Sequence, residues 1–494
     1  MQARHSSSDS RQMVLYLAII LILAFWMTRT IAITQFPSFI DEIFHINFGA
    51  DALKYGPLAH AEEGRQFTVW WYILFGAQAN APIATARLAT ALVATLGASA
   101  IMSVGRQLAG VWGILIVGFV YTVSTYHTFF ERMALADPIS AACVALALYF
   151  AFRLARRVSL IDAVLTGLTL FLAVGAKISA LPYLSIPLLA TLTLRSSGGN
   201  WRKQLKWLGV ALAVEGSLTL AFLSLLVWRG YDPFFYLAPS NVIQGNNVAI
   251  DNILARIPSN ITVILSLVIS YLGWFGLLLG AASLCYWLLK RQWFLLLSFI
   301  LPLTVLWTSN RQATRHLMVP VTLLILSISL MLANLIQKGN IAIKAVALIG
   351  IAAWLLPFWI PFINAYLENP AALPLSAPDR HEYMSSEASG FGLAEVKTYL
   401  KQQPVTQVIG IFSMCTGLKW MTLQDFPVYC PSINPNGEDI DSLNQLMRDN
   451  QNAGVYVVLE KLDYLPTNPP GKLVNVIQRP GDGLALSIYD LSPR

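Results

Sequence analysis

Charge is the scarcest ingredient of this sequence. Only 12% of its 494 residues are charged, where an ordinary soluble protein carries roughly 25%. With 56% hydrophobic residues, that scarcity excludes a soluble globular chain. Cysteine and histidine are also rare, at 4 and 6 residues. No CxxC and no His/Cys cluster occurs, so a zinc site is not expected. No internal repeat or low-complexity tract is visible. The net charge of +7 does not gather into one basic patch, and nucleic-acid binding is excluded on that ground. The basic residues sit instead in short clusters between apolar runs, as topology signals do.

Apolar runs are abundant. A hydrocarbon core of about 30 Å needs roughly 20 apolar residues in a helix. About eleven runs qualify: 13–34, 82–104, 108–126, 135–153, 160–176, 178–194, 206–228, 259–289, 293–308, 316–336 and 341–363. Arg4 and Arg11 precede the first run and no convincing small-residue cleavage site follows it, so it reads as an uncleaved spanning helix.

Orientation follows from Lys and Arg. With the N-terminus in the cytoplasm, the inner segments carry Arg106; Arg153, Arg156 and Arg157; Arg195, Arg202, Lys203 and Lys206; Lys290 and Arg291; and Lys338 and Lys344. These segments are nearly free of acids, Asp9 and Asp162 excepted. The outer segments differ. Residues 35–81 form a long acidic loop whose stretch Phe67 to Phe75 is aromatic and suited to the membrane interface. An integral protein of the plasma membrane is expected, with its chemistry on the outer face.

Beyond about residue 364 the character changes. Pro370, Pro374 and Pro378 suggest a stiff linker over 364–391. Residues 392–402 and 440–449 read as helices, and 407–413, 455–460 and 484–490 as strands. That order predicts a small α/β domain over 392–494, outside the membrane. Cys415 and Cys430 lie in it, where oxidation is allowed, and a disulfide between them is expected. Cys143 and Cys285 lie in apolar helices and read as inert packing residues.

Candidate chemistry collects at the outer segments. Asp41 and Glu42 follow directly after the first helix among apolar residues. Charges close to lipid usually have a task, although acids at a helix N-terminus are also stabilising. Asp137 and Pro138 make a good helix start, with Asp as N-cap. That reading leaves Arg132 unexplained; it could hold a phosphate or pair with an acid. Arg311 and Arg315 are four apart and would share one side of a helix. Forked guanidiniums suit a phosphate oxyanion, and lipid headgroups are the competing partner. Lys177 is a cation in a turn too short to need one. Glu215, inside an apolar run, reads as a helix–helix polar contact. Carboxylates beside outer cations suit a lipid-phosphate donor whose leaving group is a phosphate.

At these residues the chain resembles the GT-C membrane glycosyltransferases, in the branch with protein O-mannosyltransferases and the aminoarabinose lipid A transferase. The Asp-Glu pair after the first helix is Asp41-Glu42, and the Arg followed by Asp at the fourth helix is Arg132 and Asp137. The Lys in a short turn is Lys177, and the Arg-rich start of a late helix is Arg311 and Arg315. The segment from Asp379 to Tyr383 and from Ser389 to Glu395 looks like the lead-in to the outer domain of bacterial members. The resemblance implies a GT-C-like catalytic domain over 1–363 and an inverting transfer of a hexosyl or pentosyl unit. The sugar would pass from a polyprenyl monophosphate to a glycan, lipid or protein acceptor. Asp41 would be the general base or orient the acceptor, with Glu42 supporting it. Asp137 would bind donor sugar, acceptor or a metal. Arg132, Lys177, Arg311 and Arg315 would meet the donor phosphate. Some members of the class use a divalent ion, for which Asp41 and Asp137 would be ligands, and others use none. A transporter or flippase of a lipid-linked glycan is the main rival. It predicts inverted repeats and mid-membrane polar residues, of which the sequence has few.

Overall fold

The computed structural model describes residues 2–76, 79–194, 201–233, 250–308, 313–431, 440–460, 471–481 and 483–492. The chain divides into two compact units. The first comprises Met1–Ile33 and His45–Asn364, the second Thr34–Phe44 and Ala365–Arg494.

The first unit is helical throughout. Its main helices are α1 (Gln2–Thr30), α2 (Ile40–Tyr55, whose first residues belong to the second unit), α3 (Gln66–Phe75), α4 (Pro82–Thr122), α5 (Thr125–Phe130), α6 (Ala136–Arg157) and α7 (Leu160–Ala176). They continue with α8 (Ile186–Thr193), α9 (Trp201–Trp228), α10 (Ile250–Leu289), α11 (Trp293–Thr308), α12 (Met318–Lys338) and α13 (Ile341–Glu368). Among the described residues, 7 helices are long and apolar enough to cross a membrane, and three shorter apolar helices accompany them. Each of the eleven apolar runs falls on helix, and the chain is an integral membrane protein.

Helix α4 is two helices in one. Ala109 and Gly110 leave helical geometry, Gly110 with φ +61°, a conformation that only glycine adopts without cost. The halves then fold back on each other. A Cβ on Gly113 would lie 2.0 Å from the Gly105 carbonyl oxygen, so neither position has room for a side chain. α12 is buried all round, from Pro320 through Ala333, and therefore needs no polar face. α1 leaves Leu15, Tyr16, Ile20 and Leu23 exposed, as a lipid-facing helix does.

The second unit holds α14 (Ala377–Arg380), a single π turn at His381–Ser385, α15 (Leu393–Lys401), α16 (Cys415–Met421) and α17 (Ile440–Asp449). Its five strands are β1 (Gln407–Ile411), β2 (Val428–Tyr429), β3 (Val455–Glu460), β4 (Lys472–Ile477) and β5 (Leu486–Asp490), in the order β2-β1-β3-β5-β4. β1 pairs in parallel with β2 and β3, while β5 pairs antiparallel with β3 and β4. β3 is central and buried at every residue, which is why its sequence is a continuous apolar run. Ile409, Ile411, Val457, Leu459 and Met447 close the core against α17. The segment read as a stiff linker belongs to this unit, and β2, β4 and α16 were not foreseen. Cys415 and Cys430 are disulfide-bonded, with Cα atoms 5.8 Å apart. Glu460 and Arg479 form a fully buried ion pair. Arg479 also donates from Nε to the Phe391 carbonyl at 3.3 Å. Burial pushes the Glu460 carboxyl above its ordinary range, and Arg479 pulls it back.

Candidate active site

The N-cap of helix α6 lies two residues before the expected one. It is Leu135, in extended backbone, and Asp137 lies in the first turn. The Asp137 carboxylate is thereby released from capping and reaches sideways. Its Oδ1 lies 2.5 Å from Lys177 Nζ, and its Oδ2 lies 3.9 Å from Arg315 Nε. Lys177 is the extended residue that ends α7, before a 3-10 segment, Ile178–Ser185. Arg315 belongs to the 3-10 turn Thr314–Leu317 ahead of α12. That turn is tied down by α5: Tyr126 Oη donates to the Thr314 carbonyl at 2.6 Å. His316, on the same turn, is close enough to act electrostatically on Asp137.

Helix α3 closes on the Lys177 turn. Thr68 Oγ1 donates to the Ala176 carbonyl at 3.0 Å. A Cβ on Gly175 would stand 1.8 Å from the Phe67 ring, so only glycine allows the two segments to meet. This packing brings Arg65, the residue that starts α3, within electrostatic reach of Lys177. Arg65 Nη2 lies 3.2 Å from Glu63 Oε2, and Nη1 donates to His45 Nε2 at 2.9 Å. His45 Nδ1 in turn pairs with the Ala134 carbonyl at 2.9 Å. The two contacts together select the neutral tautomer with its proton on Nδ1.

The result is a group of three cations around two carboxylates. Asp137 is 7% exposed in its side chain, Arg315 15% and Lys177 22%. The carboxylate is sealed while the cations keep an open side, which suits an anion of more than one charge. Burial pushes the Lys177 ammonium below its ordinary value, Asp137 opposes this, and Arg315 and Arg65 add to the lowering. Lys177 must be protonated to attract an anion. Anion binding at this group is therefore expected to fall as pH rises through that lowered value, below 10.5. A pH profile of sulfate binding should show this alkaline limb, and Lys177→Arg should move it to higher pH. A flat profile up to the range of free lysine would contradict the expectation.

The remaining sequence candidates fall elsewhere. Arg132 is 1% exposed, and its guanidinium donates to the carbonyls of Thr28 (2.6 Å) and Ile31 at the end of α1. In this fold it satisfies orphan helix-end carbonyls. The neighbouring Glu131 pairs with the buried Arg29 at 2.9 Å. Asp41 and Glu42 occupy the first turn of α2, within the second unit. Glu42 is fully buried, and its Oε2 accepts from the Phe39 N–H at 2.9 Å, reaching back as in a capping box. Asp41 is half-buried. Arg311 lies outside the described residues. Arg65 was not foreseen; its signal was a cation in the acidic loop, directly before the aromatic stretch.

A divalent ion does not fit at Asp137. Such an ion needs several oxygen ligands, and Lys177 and Arg315 already face this carboxylate. Among the described residues, no group of three or more His, Cys, Asp or Glu could hold a metal.

Solved structures share this architecture. The ArnT of Cupriavidus metallidurans bound to undecaprenyl phosphate superposes with a TM-score of 0.59 at 16% identity, covering 97% of this chain and 99% of that one. The same ArnT in its apo state gives a TM-score of 0.56 at 14% identity, covering 98% and 100%. The fold is GT-C. An oligosaccharyltransferase of Archaeoglobus fulgidus, in complex with zinc and sulfate, matches this GT-C fold more distantly. Its TM-score is 0.50 at 12% identity, covering 90% of this chain and 68% of that one. No protein-family model matches the chain, and no curated protein matches it significantly.

Proposed function

We propose that this GT-C chain is an inverting glycosyltransferase that moves a sugar from a polyprenyl monophosphate to an acceptor hydroxyl at the outer face of the plasma membrane. In this reading the N-terminus is cytoplasmic and the second unit extracytoplasmic. The observation that carries the reading is the pair of cations on Asp137, Lys177 and Arg315, with Arg65 in electrostatic reach of Lys177. The GT-C fold supports it, because an ArnT with that fold has been solved with undecaprenyl phosphate bound.

The chemistry follows from charge. The acceptor oxygen attacks the anomeric carbon as its proton passes to a base. The bond from that carbon to the donor phosphate oxygen breaks on the opposite face, so configuration inverts. The electron pair leaves with the phosphate, which gains a negative charge at the moment of cleavage. Lys177, Arg315 and Arg65 are assigned to that charge, and fixed cations aimed at developing charge are the strongest electrostatic aid available. Asp137 keeps the cations close together before the donor binds. Asp41 is assigned as the base and Glu42 as the residue that sets the helix turn bearing it. Arg311 is kept as a further candidate for the phosphate. Arg132 is assigned to holding α1.

Binding and chemistry separate in one experiment. Purified protein in lipid nanodiscs is titrated with a short-chain polyprenyl monophosphate and with the matching alcohol. The phosphate should bind and weaken with salt, and the alcohol should not. Equal binding of both would sink the phosphate assignment. Asp41→Asn should bind the phosphate like wild type yet lose transfer by about 10²–10⁴-fold, the range for a general base. Unchanged transfer would remove Asp41 from that role.

A further inference from the structure

The segment between Asp379 and Glu395 stands out in the sequence and belongs to the second unit. Within the second unit it meets Thr34–Phe44, the segment that leads into Asp41 and Glu42. Phe39 and Ser389 form an isolated antiparallel bridge, and the Ile40 N–H donates to the Ala388 carbonyl at 3.0 Å. The Phe39 ring lies against Tyr383 with centroids 4.5 Å apart, and Phe36 packs edge-on to Phe391 at 5.6 Å. At Gly390 the two backbones almost touch. A Cβ there would stand 2.3 Å from the Ser38 carbonyl oxygen and 3.1 Å from the Ser38 nitrogen. The partner atoms are backbone, so no rotamer change relieves the clash. Ser389 holds this shape from within. Its Oγ donates to the Tyr383 carbonyl at 2.9 Å and accepts from the Phe391 N–H at 3.2 Å.

We propose that residues 383–391 form a cradle that positions Asp41, with Gly390 and Tyr383 as its positioning residues. This rests on the reading of Asp41 as the base. The contacts reach Ile40, the residue before Asp41, and they set the direction in which α2 departs. A cradle of this kind acts on the base, so its signature is a loss of kcat with donor KM kept. A misplacement of about 1 Å at a reacting group costs about 10²-fold in rate.

The test measures kcat, donor KM and thermal stability of the full chain in lipid with a short-chain polyprenyl-phosphate sugar. Gly390→Ala should lower kcat by about 10²-fold and leave donor KM nearly unchanged. Tyr383→Leu should lower kcat, and Tyr383→Phe, which keeps the ring on Phe39, should restore most of it. Gly454→Ala is the control. Its Cβ would stand 2.4 Å from the Pro404 carbonyl oxygen, at the start of β3. It should lose stability and keep kcat. If Gly390→Ala does not accumulate, the Tyr383 pair carries the same test. Wild-type kcat in Gly390→Ala, or an equal kcat loss in Gly454→Ala, overturns the cradle while Asp41→Asn stays inactive. Full kcat in Asp41→Asn overturns the base assignment and the cradle with it, so the two failures are distinguishable.

Discussion

Lys177→Gln is expected to lower kcat/KM for a polyprenyl-phosphate sugar by about 10²–10³-fold, the cost of deleting one preorganised donor at a developing oxyanion. Lys177 is the cation closest to Asp137, and three packed segments meet at its turn: α6, α7 and α3. The glutamine can still donate a hydrogen bond, so the loss isolates the charge. Arg315→Gln and Arg65→Gln should each cost less, because Arg315 stands 3.9 Å from Asp137 and Arg65 is partly held by Glu63 and His45. Combined with Lys177→Gln, either should add less than its single effect, since residues of one group are not additive. Initial rates over a donor series measure this. A Lys177→Gln enzyme within twofold of wild type, roughly 0.4 kcal/mol on the tenfold-per-1.4 scale, would show that the phosphate charge is met elsewhere.

The second large effect is on stability. Arg29→Met should destabilise the helical unit by about 3–5 kcal/mol, as happens when one partner of a buried pair is removed. Arg29 is fully buried near the end of α1 and spends its donors on five acceptors. These are Glu131 Oε2 at 2.9 Å, Thr128 Oγ1 at 2.9 Å, Thr28 Oγ1 at 2.8 Å, and the carbonyls of Thr122 at 2.8 Å and Tyr121 at 3.1 Å. Tyr121 Oη donates to the other Glu131 oxygen at 2.7 Å. The whole network loses its centre with Arg29, and Glu131 is left buried without its cation. Arg29→Met with Glu131→Leu should recover much of the loss, because apolar packing often replaces a buried pair at little cost. Thermal unfolding in detergent, followed by tryptophan fluorescence or size-exclusion, measures this. An unchanged midpoint for Arg29→Met would contradict it.

Much of this was legible because membrane sequences carry two strong signals. Apolar runs locate the helices, and the glycines at 105, 110 and 113 mark where α4 turns back on itself. Cations that break the positive-inside trend, such as Lys177 and Arg315, pointed to the cluster that they form with Asp137. Arg65 was hidden because its loop is acidic and Lys177, the cation that it stands near, lies far along the chain. Arg132 is ambiguous in the sequence for a different reason. An arginine near a carboxylate pattern can face a phosphate or a helix-end carbonyl, and only the backbone tells which. In the second unit, central β3 was visible as an apolar run, while edge strand β4 was not. β4 exposes Lys472, Leu473 and Val476, and its pairing is irregular between Leu473 and Asn475, so no clean alternation remains. The prolines at 370, 374 and 378 looked like a spacer. Pro370 and Pro378 instead open short helical turns of the second unit, a position that suits proline.

The most direct measurement is of the leaving group. Protein in lipid is given short-chain polyprenyl-phosphate sugars of several kinds together with lipid and glycan acceptors, and free polyprenyl monophosphate is quantified by mass spectrometry. The account predicts release by wild type with at least one sugar, matched by glycosylated acceptor of inverted configuration, and release near background from Lys177→Gln and Asp41→Asn. Intact donor with every sugar, or retained configuration in the product, would contradict it.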